Sequence, residues 1–353
     1  MNIEESKSYN ALNIACFSNY ETLLKKFESS GSWEKAWLKF QKSSPIDKEE
    51  AWQKLKKYNI SLILQSDPSF PEQLKEIPWP PLALYLLGAP LKKDEIMIAL
   101  VGTRKATSQG KTTAKKFAKD LSVIGFTVVS GLAFGIDASA HEGVTDAQGR
   151  TVAVLANGLD RIYPRTHEEL AKKILELDGT LISEYPIGSP SLQHRFIERN
   201  RIVSGLSRGI IIIEAPENSG ALTTAKFALE QNREVLVIPG PFDHPNYLGS
   251  HGLIKAGAGL ITSIQDILVT LNLEELARDH KIHEARKILD QLDENQKAVI
   301  SVLEAASSSI DTESIAELTQ LEVPILNSAL SFLIIKGLIK EESGKYLIAN
   351  LWT

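Results

Sequence analysis

Apolar residues recur in short runs through the middle of the chain, at 98–101, 126–129, 152–155, 180–182, 209–213 and 235–238. Helix-length segments separate most of them. Most runs stop at Gly, Asn, Ser, Glu or Pro-Gly: Gly102, Ser130-Gly131, Asn157-Gly158, Ser183-Glu184, Glu214 and Pro239-Gly240. Strands buried on both faces read as continuous apolar runs, so this alternation predicts an α/β fold with a doubly wound, mainly parallel sheet. The clearest unit runs from Ile98 to Asp137. Its first run ends at Gly102-Thr103-Arg104, a polar helical segment follows from Gly110 to Val123, and its second run ends at Ser130-Gly131-Leu132-Ala133-Phe134-Gly135-Ile136-Asp137. In such a unit the glycines fall at the carboxyl ends of the strands, where backbone amides and helix N-termini face an anion.

The flanks follow other periods. Up to about residue 58, apolar residues such as Leu12, Leu23, Phe27, Trp33, Trp37 and Phe40 recur at helical spacing, broken at Ser30-Gly31-Ser32 and Ser43-Ser44-Pro45. A module of this kind binds DNA or protein, or simply caps its neighbour. Two strands are expected at 60–64 and 82–88, joined by a proline-rich stretch that suits a rigid, extended approach to the main sheet. Residues 272–290 are charged and read as a solvated helix or linker. The tail reads as three helices and a hairpin turning at Ser343-Gly344, a winged-helix pattern. The expected domains are therefore 1–58, 59–271, a linker 272–290, and 291–353.

Composition narrows the chemistry. A net charge of −5 means that any attraction to nucleic acid must come from a local patch. With Cys16 the only cysteine, a disulfide framework and a Cys-rich zinc site are excluded. The opening residues lack a basic and an apolar signal region, and no apolar run reaches about 18 residues, so a cytoplasmic protein without membrane insertion is expected. Gly110-Lys111-Thr112 follows a strand as a P-loop would, but the position that needs the first glycine is Lys105. The G-x-G-x-x-G fingerprint is absent. His141-Glu142 has Thr145 where a zincin needs its second histidine, His280 and His283 sit in the charged linker, and no serine lies in a G-x-S-x-G elbow.

A set of arginines remains, at expected loop positions. Arg104 follows the first strand's glycine, and Arg195, Arg199, Arg201 and Arg208 lie close together with Phe196 and Asn200 among them. Arginine forks bind phosphate and an aromatic ring stacks a base, although the same pattern also suits an amphipathic helix with surface arginines. In the loop after 209–213, Ser219, Gly220 and Thr223 suit a helix N-terminus facing a ligand, or capping alone.

Taken together, the chain resembles the DprA/Smf family, the DNA-processing proteins of bacterial natural transformation. The residues that carry the resemblance are Val101-Gly102-Thr103-Arg104, the segment from Ser130 to Asp137 with Ala140-His141, Phe196 with Arg199-Asn200-Arg201-Ile202 and Gly205-Leu206-Ser207, Ser219-Gly220-Ala221-Leu222 with Thr224-Ala225, and Pro239-Gly240. The family more often has Ser at the Thr103 position. The resemblance implies an extended Rossmann-like domain between an N-terminal SAM-like helical module and a C-terminal winged helix. It implies a homodimer that binds single-stranded DNA without catalysis, needs no cofactor, and loads the RecA recombinase. Carried over, Arg104 grips a phosphate, Gly102 and Thr103 supply backbone and hydroxyl donors, and Phe196 stacks a base. Arg199, Asn200 and Arg201 shape the pocket, with Arg201 partly structural through Asp137 or Glu214. Upstream of Phe196 the family often has lysine or another polar residue; here Gln193-His194-Arg195 stands there, making Gln193 and Arg195 the candidates for that contact. From Asp311 onward six acids face three lysines, so the winged helix is expected to dock on protein or on its own sheet domain rather than on phosphate. The rival reading is a Rossmann-like nucleotide-binding hydrolase.

Overall fold

The computed structural model describes residues 2–278, 292–306 and 308–349. His280, His283 and most of the expected linker lie outside the described residues. The chain divides into two compact units, Met1–Leu271 and Asn272–Thr353.

The first unit opens with four helices, α1 (Ile3–Ala15), α2 (Tyr20–Glu28), α3 (Trp33–Phe40) and α4 (Lys48–Lys57). Each begins at a short polar residue, Asn2, Asn19, Ser32 or Asp47, whose side chain accepts an orphan amide of the first turn. Strands β1 (Ile60–Leu64) and β2 (Ala83–Gly88) follow, with one helical turn, α5 (Glu72–Lys75), between them. That turn departs from the extended path expected of the proline-rich stretch. Pro71 carries a φ of −59°, which suits the start of a helix, and the turn buries Phe70, Leu74 and Ile77 in the core.

The expected parallel strands are β3 (Met97–Val101), β4 (Thr127–Ser130), β5 (Thr151–Leu155), β6 (Thr180–Ser183), β7 (Gly209–Ile212) and β8 (Glu234–Val237). With β1, β2 and β9 they form one nine-stranded sheet in the order β1-β2-β6-β5-β4-β3-β7-β8-β9, in which the β1–β2 and β2–β6 pairs are antiparallel and the rest parallel. The last strand, β9 (Gly259–Leu260), is too short to register as an apolar run. The helices are α6 (Ser108–Val123), α7 (Ile136–Asp146), α8 (Glu168–Glu176), α9 (Gln193–Leu206), α10 (Gly220–Glu230), α11 (Leu248–Lys255) and α12 (Ile264–Leu271). Alternate residues of each strand serve opposite cores. Val152 and Val154 pack with Ile202, Val203 and Leu206 of α9, whereas Ala153 and Leu155 share a cluster with Ala171 and Ile174 of α8.

That second cluster continues without a break into Tyr9, Leu12, Leu23, Trp33 and Trp37. The Tyr85 hydroxyl donates to Asn10 Oδ1 at 2.9 Å and accepts from Asn13 Nδ2 at 3.3 Å. The boundary expected at 58/59 therefore separates no cores: the N-terminal helices and the sheet share one.

His141, on α7, is fully buried. The Thr151 hydroxyl donates to the Val128 carbonyl, so it must accept from His141 Nδ1–H at 2.9 Å, and the bare Nε2 has no partner among the described residues. Burial first, then the charges of His167 and Arg199, hold this imidazole down at about 3. A base depressed on folding contributes stability that is complete above its unfolded value of about 6.5 and drains away as pH falls toward the folded one. Urea unfolding of the sheet unit should thus lose stability by up to about 1.4 kcal/mol per pH unit from this group below pH ~6.5. His141→Met should flatten that part of the profile; an unchanged slope would show that the group does not control it.

The second unit contains α13 (Glu294–Ala305), α14 (Thr312–Thr319) and α15 (Val323–Ile335), then β11 (Ile339–Glu342) and β12 (Lys345–Ile348). A short strand, β10 (Ile310–Asp311), which the sequence did not suggest, pairs with β12 to make a three-stranded antiparallel sheet. Asp293 and Gln296 close a reciprocal capping box on α13. Ser343 and Gly344 both have positive φ, as a tight hairpin with right-handed twist requires. Among the described residues no single helix is long and apolar enough to cross a membrane.

Candidate nucleic-acid interface

The sheet's strand order reverses direction at β3. β4, β5 and β6 lie to one side of it and β7 and β8 to the other, which opens a crevice at the carboxyl ends of β3 and β7. The pairing of Val101 with Ile212 sets Gly102-Thr103-Arg104 beside Ile213-Glu214. A Cβ at residue 102 would stand 2.5 Å from Ile136 Cγ1 and 2.9 Å from the Glu214 carbonyl, so only glycine fits. The Thr103 amide donates to that carbonyl at 2.7 Å, and the Thr103 hydroxyl accepts from the Lys105 amide at 3.2 Å. Thr103 is buried, and its amide is already committed within the protein rather than held out as a donor.

Glu214 holds this loop with its side chain as well. Its carboxylate accepts from the Thr107 amide (3.0 Å), the Thr107 hydroxyl, Asn246 Nδ2 (2.9 Å) and the Tyr247 hydroxyl (3.0 Å). Burial opposes its charge, but the hydrogen bonds, led by those of Thr107, outweigh burial and keep the carboxyl below its usual range.

Arg104 stands out from this scaffold. It is exposed, makes no ion pair among the described residues, and lies with Cζ 4.7 Å from the centre of the half-buried Phe196 ring. A guanidinium over an aromatic face keeps its fork of N–H donors in the ring plane's neighbourhood and free for phosphate.

The other arginines of the motif do something else. They lie on helix α9 rather than in a loop, and Arg195, Arg199 and Arg201 are all buried. Arg199 passes under the loop after β4 and donates from Nη1 to the Gly131 carbonyl at 2.6 Å and to the Val154 carbonyl. A Cβ at residue 131 would meet that guanidinium at 2.4 Å, which explains the glycine. Burial lowers Arg199 to about 10, with Asp137 nearby working the other way. Burial likewise raises Asp137, whose Oδ2 accepts the Gly131 and Ala133 amides. Arg201 pairs with Glu184 at 2.7 and 2.9 Å, not with Asp137 or Glu214, and stacks 4.2 Å from the centre of Trp79. Arg195 covers the Tyr185 ring, donates to the Pro190 carbonyl, and lines a cavity of about 970 Å³ with Asn13, Tyr20 and Trp79.

The remaining candidates lie on α9 and at the start of α10. Gln193 is exposed on the first turn of α9. Asn200 bridges to the start of α10 through Nδ2 to the Gly220 carbonyl at 3.3 Å. Ser219 caps α10 by accepting the Ala221 amide, Gly220 is exposed, and Thr223 is half-buried on the first turn. Two segments that carried no site residue in the sequence reading also reach this rim. Tyr163 lies 5.5 Å from Phe196 between ring centres, and Phe134 packs edge-on against His167 at 5.0 Å. The signal for Tyr163 in the sequence was an aromatic between arginines, Arg161-Ile162-Tyr163-Pro164-Arg165.

Comparison with known proteins gives the chain its relatives. Residues 61–272 match the family model described as DNA recombination-mediator protein A. Protein Smf of Escherichia coli (strain K12) is 41% identical over 235 residues, 67% of this chain and 62% of that protein. The X-ray structure of DNA processing protein A from Streptococcus pneumoniae is 30% identical and superposes with a TM-score of 0.61 over 76% of this chain and 95% of that one. A structure of DNA processing protein A from Helicobacter pylori, concerned with its single-stranded DNA binding mode, is 28% identical with a TM-score of 0.54 over 61% of this chain and 96% of that one. A family match across more than half of the residues, on the segment that builds the rim, settles the relationship: the chain belongs to the DNA recombination-mediator protein A family, the DprA/Smf proteins.

Proposed function

We propose that this protein binds single-stranded DNA on the strand-end rim around Arg104 and acts as a cytoplasmic, non-catalytic recombination mediator. In this reading it works as a homodimer that protects incoming DNA and loads RecA during natural transformation. The observation that carries it is the exposed Arg104 guanidinium lying over Phe196 at the switch point of the sheet, a phosphate grip beside a stacking face. The single-stranded DNA binding mode of the Helicobacter pylori relative supports it. Binding of this kind reads backbone and base faces, so it should be largely independent of sequence and weaken with salt. The second unit fits a winged helix. Its last helix, α15, exposes Val323, Ile325, Phe332 and Ile335, a surface suited to protein rather than phosphate.

The test is fluorescence anisotropy with a labelled single-stranded oligonucleotide across a salt series. Expected is tight binding at low salt with a negative log–log slope. Absence of binding at low salt, with hydrolysis of nucleoside monophosphates instead, would favour the nucleotide-hydrolase reading and sink this one.

A further inference from the structure

The contacts around Arg104 close into a circuit. Phe196 lies beneath its guanidinium at 4.7 Å, and Tyr163 lies 5.5 Å from Phe196. Tyr163 belongs to the loop 160–167, which also carries His167, whose amide donates to the Pro164 carbonyl at 2.9 Å. His167 donates from Nδ1 to the Leu132 carbonyl at 2.9 Å and meets Phe134 edge-on. Phe134 leads into Gly135, whose φ of +79° brings the chain back against the carbonyls of Thr103 and Arg104. The one aromatic ring under the Arg104 guanidinium, Phe196, thus continues into Tyr163 of the loop after β5, and the same loop meets Phe134 of the loop after β4 through His167.

Two of those rings remain open to solvent, Phe134 at 46% and Tyr163 at 45% exposure. The same loop carries Arg161 and Arg165, whose side chains are 61% and 91% exposed; among the described residues each has one acidic neighbour within ion-pair range, Asp160 at 3.4 Å and Glu168 at 3.5 Å. Aromatic faces alternating with exposed cations are the surface a flexible polyanion with flat bases recognises.

We propose that the loop 160–167 is a second arm of the single-strand site. Tyr163 and Phe134 offer stacking faces for a base next to the one on Phe196, and Arg165 takes the phosphate beyond it. Neighbouring rings, Phe196 under the Arg104 guanidinium and Tyr163 beside Phe196, suit consecutive bases with a phosphate on Arg104. The inference deepens the reading of the rim as a single-strand site and rests on it.

The test compares wild type, Arg104→Ala, Tyr163→Ala, Tyr163→Phe, Phe134→Ala and Arg165→Gln by anisotropy with a long oligothymidylate. Thermal melting checks that each variant is folded. Quenching of a 2-aminopurine base in the oligonucleotide reports stacking directly. Tyr163→Ala and Phe134→Ala should each bind about five- to a hundredfold more weakly and lose part of the quenching, by the usual worth of a base–aromatic stack. Tyr163→Phe should bind and quench like wild type. Arg165→Gln should bind more weakly with a shallower salt slope. Wild-type affinity and quenching in both alanine variants, alongside weak binding by Arg104→Ala, would overturn the second arm and leave the rim standing. Undiminished binding by Arg104→Ala as well would overturn the rim itself.

Discussion

Arg104→Ala is expected to lower affinity for single-stranded DNA by about ten- to a hundredfold, the worth of charge-assisted hydrogen bonds to one phosphate. The salt dependence should become shallower, by roughly 0.7 in the log–log slope for one phosphate contact on a single strand. Stability should hardly move, because the side chain is exposed and, among the described residues, packs on Phe196 without an ion pair. Anisotropy at two salt concentrations, with a melting curve beside it, separates these effects. A variant that binds as tightly as wild type would remove Arg104 from the site, whatever its melting temperature.

Arg201→Ala should do the reverse. The substitution leaves Glu184, largely buried, without its two charge-assisted bonds and uncovers one face of Trp79. Breaking a buried pair from one side costs about 3–5 kcal/mol, a large share of the roughly 5–15 kcal/mol that holds a domain folded. The sheet unit should melt well below wild type and give up tryptophan signal early in urea. Replacing both partners, as Arg201→Met with Glu184→Met, should recover most of the loss, since a well-packed apolar pair removes the uncompensated charge. Any loss of DNA binding in Arg201→Ala should track the unfolded fraction. Wild-type stability together with lost DNA binding would instead make Arg201 a contact residue.

The contrast between these two arginines shows where the sequence stops being legible. The six parallel strands could be read because burial on both faces leaves an unbroken apolar run, and the glycines that end them mark the loops of the rim. Residue type and spacing around Phe196 identified a cationic, aromatic segment, but not which way each guanidinium turns. That depends on Gly131, Val154 and Glu184, which reach α9 only once the sheet has assembled. The same holds for the N-terminal helices. Their periodicity was plain, whereas their sharing of a core with Tyr85 and Leu181 was not, because periodicity gives a buried face without naming what covers it. Tyr163 escaped notice because a lone aromatic in a polar loop carries no period at all.

Glu214 has a bearing on how fast and how tightly the rim can act. One carboxylate and its own carbonyl bind Thr103, Thr107, Asn246 and Tyr247, so the backbone on either side of Arg104 is fixed before any strand arrives. The loop's conformational entropy is then lost during folding rather than on association, leaving chiefly the side chain to be ordered by the ligand. A docking surface prepared in this way favours capture on first encounter over slow mutual adjustment.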